Sequence, residues 1–202
     1  DVYLVRNLDM VEFSFGFTRV SATPTTVQKS LRMPVRLKGF PALQNGRRPI
    51  YVIEQQNEAL YIRLDPTAVG AFLIANGTLA ALPPAPKTLG SQVIEQYADF
   101  GLFMEAFTAR DEASRERARD VPSLVYMLLH TMAHQVMHGI ARFSGLDLGS
   151  MSEAIFPADL ALLVHRRGMT EDLGNISSMW RDHNGAFLDY LVARRELRCG
   201  SG

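Results

Sequence analysis

Three histidines, His130, His134 and His138, recur every four residues within one apolar segment. On an α-helix, side chains four apart are neighbours on one face, so His130 and His134 can chelate a metal ion together. The zinc-protease pattern also requires a glutamate directly after the first histidine as general base, and Thr131 stands there instead. No Asp, Glu or Cys lies within a turn of the pair to complete a site. The residues themselves therefore favour a structural role for His130 and His134 inside a core, with metal ligation as the alternative. His138, nearest the helix end, is the imidazole expected to reach solvent. Glu171 and Asp172 are paired carboxylates that could serve a metal-dependent hydrolase, although capping of a following helix is their ordinary use. Cys199 is the single cysteine, and a zinc site built on it needs about three further ligands.

A second candidate chemistry is anion binding. Between Glu12 and Glu54 there is no acidic residue, whereas Arg19, Lys29, Arg32, Arg36, Lys38, Arg47 and Arg48 all occur. Such segregation suits contact with nucleic-acid phosphates, because bound Lys and Arg release condensed counterions. Arg32, Arg36, Lys38, Arg47 and Arg48 are the expected contacts; a solvated sheet face is the plainer reading. Phosphate-binding loop, dinucleotide fingerprint and Gly-x-Ser-x-Gly elbow are all missing from the sequence.

These residues need elements to hold them. Residues 1–64 read as β structure: Val11–Val20 alternates as a half-buried strand would, and 49–53 with 59–64 suggest a hairpin around Gln55–Glu58. Asp65-Pro66 supplies a cap and first-turn proline for a short helix that Asn76-Gly77 ends. Residues 81–88, with three prolines, form the clearest linker. Residues 91–109 read as an amphipathic helix and 111–120 as a charged segment. The histidines lie on a helix starting at Pro122 and stopping at Gly145, apolar round most of its circumference and so expected to be buried. Residues 150–155 read as a short helix, 159–165 as an apolar strand central in a sheet, 168–178 as a loop and 185–198 as a last amphipathic helix. The predicted fold class is α+β: an N-terminal antiparallel β region, then a mainly helical half around a buried His-bearing helix with a central strand. The predicted organisation is a β-rich basic region (1–82), a linker (83–90) and an α/β region (91–202).

The 202 residues suffice for a sizeable core, and a content of 47% hydrophobic residues argues against disorder. Charges balance at 21 basic and 21 acidic, so net charge points to no partner. One cysteine rules out an internal disulfide framework and fits a reducing, cytoplasmic setting. No membrane association is expected, since histidines, Gln135 and Arg142 interrupt the longest apolar run. The abrupt ends, a strand-like start at Asp1 and a stop after Arg-Cys-Gly-Ser-Gly, suggest a piece of a longer polypeptide.

Taken in order, several segments resemble a known family. Leu129-His-Thr-Met-Ala-His134 is followed by Ser150-Met-Ser-Glu-Ala-Ile-Phe156, the run Leu160–His165, Glu171-Asp-Leu-Gly-Asn175 and Cys199. This succession resembles the MrfA-type zinc-binding (MZB) domain, found at the C-terminus of certain superfamily 2 DNA helicases and in DrmB of the DISARM anti-phage system. Phe15-Gly-Phe-Thr-Arg19 also resembles a segment that often precedes that domain. The likeness covers roughly residues 120–202 and departs at Asn175, where the family has glycine, and after Cys199, where three more cysteines would follow. It implies family zinc with an incomplete ligand set here, His130 and His134 organising the core, and DNA or a helicase subunit as partner. The expected function is thus a non-catalytic module of a helicase-associated or anti-phage defence protein. A purely structural protein–protein scaffold and a metal-dependent hydrolase are the alternatives.

Overall fold

The computed structural model describes residues 1–20, 25–27, 30–32, 35–85, 89–91, 120–167 and 176–193, without the side chains of 18–37. These divide into two units, Asp1–Leu8 with Asn57–Gly202, and Asp9–Gln56. The expected helix over 91–109 (except Ser91, which is helical with 89 and 90), the charged segment 111–120 (except Asp120), the loop 168–175 and Cys199 lie outside the described residues.

The first unit is built on a four-stranded sheet. Its strands are β1 (Val2–Ser14), β6 (Tyr51–Arg63), β7 (Met151–Phe156) and β8 (Ala161–Arg166), in the order β1-β6-β8-β7. Residues 1–8 and 57–63 are the parts of β1 and β6 that belong to this unit. β8 pairs antiparallel with both neighbours, Leu162 standing opposite Ile62 on one side and Ile155 on the other. Ala161 to His165 are all buried, as befits the central strand that the apolar run predicts. The strand starts later than residue 159, after a 3-10 turn over Pro157–Asp159 that closes with Leu160 at φ 50°.

Among the described residues, three longer helices share a core with this sheet. α1 (Pro66–Ala75) begins as expected, Asp65 accepting a bond from the Ala68 N–H at 3.0 Å with proline in the first turn. It ends at Asn76, beside Gly77 at φ +73°. α2 (Val121–Ser144) carries the histidines. Asp120 caps it by accepting from Ser123 N–H at 2.9 Å, and Gly145, at φ +77°, turns the chain out of it. α3 (Ile176–Ala193) follows.

Val125, Leu129, Ala133, Val136 and Ile140 of α2 are buried together with Leu60, Leu162, Val164, Ile176, Met179 and Phe187. Each such large side chain removed from water contributes about 1.5–3 kcal/mol. α2 and α3 cross at Gly139, where a Cβ would meet the Phe187 ring at 2.7 Å, so only glycine lets the helices approach this closely. The α2 prediction holds in its bounds and its buried face. The helix is not buried all round: Met127, His138 and Arg142 are exposed, and Arg142 lies over the Tyr190 ring at 5.6 Å.

In the second unit, β2 (Gly16–Val20) pairs antiparallel with β5 (Val35–Gly39), and β3 (Thr25–Val27) with β4 (Ser30–Arg32). Residues 9–14 and 51–56 of β1 and β6 complete it, joined by Gln56 to Asp9 at 2.9 Å and Gln55 to Glu12 at 3.2 Å.

Four expectations need correction. The hairpin around Gln55–Glu58 is one continuous strand, because that polar stretch offers no Gly or Pro for a turn and two of its glutamines bond carboxylates on β1. Residues 151–156 are a strand, not a helix: ladder pairing with β8 overrides the helical propensity of Met, Glu and Ala. The last helix begins at Ile176, within the expected loop 168–178, since Glu58 on β6 caps it; Ser177 N–H and Oγ–H donate to that carboxylate at 3.0 and 2.5 Å. Gly185, expected to open that helix, lies inside it, where nothing crowds it. Finally, Val11–Val20 is interrupted at Phe15, and its apolar residues are not half-buried. Val11, Phe13 and Phe15 are 60, 65 and 52% exposed.

Candidate functional site

α2 presents His130 and His134 on successive turns toward β7, where Glu153 stands between them. A strand alternates faces, so Met151, Glu153 and Ile155 share the side of β7 that packs on α2, and the carboxylate arrives among the imidazoles. His130 Nδ1 lies 2.5 Å from Glu153 Oε1, and His134 Nε2 lies 3.9 Å from Glu153 Oε2. An ionised carboxylate only accepts, so Nδ1–H of His130 donates this bond. The two imidazole rings meet edge to face at 4.4 Å, and Tyr126 stacks on His130 at 6.0 Å. Burial, and secondarily the charge of Glu153, push the Tyr126 phenol above its ordinary value, so it stays a neutral hydroxyl at physiological pH.

The three ligand atoms lie within 4.8 Å of one another, a group that could hold a metal ion. His134 leaves the site accessible, with 39% of its side chain exposed against 22% for His130 and 20% for Glu153. His130 and His134 are therefore half-buried at the edge of the core, not sealed within it, whereas exposed His138 takes no part. Nothing in the local sequence ties Glu153 to the histidines: the third group comes from the next strand, not from the same helix turn. A strand reading of 151–156 would have aimed Glu153 and Met151 at one face. Glu171 and Asp172 lie outside the described residues, so the hydrolase constellation has no described carboxylate beyond Glu153 here.

The residues predicted to contact phosphate distribute over the second unit. In the β2–β5 ladder Arg19 stands directly opposite Arg36 and Phe17 opposite Lys38, positions two apart on each strand and hence on one face. Arg32 lies on β4, opposite Thr25 in a separate ladder. Arg47 and Arg48 are exposed in the segment between β5 and β6, which turns at Asn45-Gly46, where Gly46 has φ +77°. The Arg48 guanidinium rests against Gly39, next to exposed Lys38 on β5. The structure thus sets Arg36 and Lys38 on β5, with Arg48 against the end of that strand, and Arg32 on β4.

Comparison with models of known protein families, with curated proteins and with solved structures finds no match to this chain. Structure alone therefore relates the segments noted in the sequence. Leu129–His134 and Ser150–Phe156 converge on the His130–His134–Glu153 cluster, and Leu160–His165 runs beside the latter as β8. The sequence holds one cysteine, Cys199, of the four that a zinc knuckle takes, and it lies outside the described residues. Among the described residues no helix is long and apolar enough to cross a membrane.

Proposed function

We propose that this chain is a non-catalytic module of a helicase-associated or anti-phage defence protein, and that its second unit binds nucleic acid through backbone phosphates. The cross-strand pairing of Arg19 with Arg36, beside Lys38, carries this reading. Arg48 beside Gly39 and exposed Arg47 enlarge the same basic character, and no carboxylate occurs between Glu12 and Glu54 to oppose it. The zinc that the resemblance implies at Cys199 is not required for this contact. The cytoplasmic setting inferred from cysteine usage is consistent with it.

The test is binding of the full chain to single-stranded and duplex DNA across a salt series, with Arg36, Lys38, Arg47 and Arg48 reversed to Glu singly and together. Binding should weaken steeply with salt, and each reversal at a true contact should lower the salt slope by about one. Equal affinity of the fourfold variant would end the nucleic-acid reading. One observation favours the scaffold alternative: Val11, Phe13, Ile50, Tyr51, Val52 and Ile53 are each more than half exposed. Co-purification with a helicase subunit, without DNA binding, would select it.

A further inference from the structure

We propose that His130, His134 and Glu153 bind one divalent cation of the zinc class and thereby tie α2 to β7. The site is independent of the nucleic-acid reading.

Ligand chemistry comes first. Two imidazole nitrogens and one carboxylate oxygen suit zinc and its transition-metal neighbours, whereas magnesium and calcium prefer all-oxygen cages. Ligands held around one tetrahedral zinc at about 2.0–2.1 Å stand about 3.3 Å from each other. The present separations, 2.5 Å for His130 Nδ1 to Glu153 Oε1 and 3.9 Å for His134 Nε2 to Glu153 Oε2, fall on either side of that value. All three ligand atoms already lie within 4.8 Å of one another. Binding exchanges the His130–Glu153 hydrogen bond for two metal bonds, the His130 ring proton moving to Nε2.

A second, independent observation concerns the carboxylate. Glu153 Oε2 is buried and accepts no hydrogen bond. A buried carboxylate oxygen without a partner is costly, and such groups are normally satisfied by a donor or a metal. The unsatisfied oxygen faces the His134 nitrogen across a gap of metal-ligand scale. The bond of His130 satisfies Oε1, whereas Oε2 has only His134 at 3.9 Å, beyond hydrogen-bond reach.

The site offers three protein ligands and an open flank at His134, so water would complete the coordination. Thr131 occupies the position where zinc proteases carry glutamate, and among the described residues the cluster has no carboxylate besides the ligand Glu153. The role inferred is a cross-link between helix and strand, not hydrolysis.

The decisive experiment titrates the full chain, in a Cys199→Ser background to remove the thiol, with zinc and with cobalt. Metal content after gel filtration, cobalt visible absorption and thermal melting are read together. One equivalent of zinc per chain should be retained and should raise the melting temperature. Glu153→Gln and His134→Gln should each weaken binding by more than about tenfold, a loss that removing even an outer partner can produce. His138→Gln, at an exposed position, should leave affinity unchanged. Glu153→Gln preserves an acceptor for His130, and its metal-free circular dichroism should match the parent; if it fails to fold, His134→Gln, at the most exposed of the three ligands, decides. Absence of stoichiometric zinc, or equal affinity in the ligand variants, overturns the proposal.

Discussion

The two units treat apolar residues in opposite ways. In the first, Leu60, Leu129, Leu162, Met179 and Phe187 are buried against one another. In the second, Val11, Phe13, Phe15, Ile50, Tyr51, Val52 and Ile53 are all exposed, and the closest aromatic contact is Phe40 with Tyr51 at 5.0 Å. Apolar strand segments occur in both, yet only in the first do they mark a core. The contrast separates a packed unit from one whose apolar side chains stay exposed among the described residues.

The contrast can be broken by mutation. The largest effect is expected for Phe187→Ala: removing a fully buried ring should cost about 3–5 kcal/mol in urea unfolding. Gly139→Val should follow, at about 1–3 kcal/mol, because its side chain would be forced into the Phe187 ring at the α2–α3 crossing. Glu58→Ala should cost about 1–2 kcal/mol and accelerate amide exchange at Ser177, whose N–H loses its acceptor. The smallest effect belongs to the second unit: Phe13→Ala, at a side chain 65% exposed, should change stability by less than about 0.5 kcal/mol. A Phe13→Ala loss rivalling Phe187→Ala would erase the distinction between the units.

What could be read from the sequence follows the range of the interactions involved. Asp120, Pro122 and Gly145 bound α2 through local capping and φ preferences, so that helix was legible to its ends. The run 161–165 was legible as a buried strand because it is apolar without interruption. The start of α3 was not, since its cap, Glu58, stands 119 residues before Ser177. The strand character of 151–156 depends on β8, and the exposure of Phe13 and Ile53 depends on no second layer being supplied within the described residues. The candidate site shows the same division. Its imidazoles announce themselves by spacing on one helix, whereas Glu153 joins them only once β7 is laid against α2.

The central claim is that imidazoles from α2 and a carboxylate from β7 act as one metal-binding unit. X-ray absorption at the zinc edge, on the unmodified chain loaded with one equivalent, tests it most directly. The expected first shell has two imidazole nitrogens and carboxylate oxygen, with no sulfur. A sulfur shell at about 2.3 Å, marking capture by Cys199, or an oxygen-only shell would contradict it.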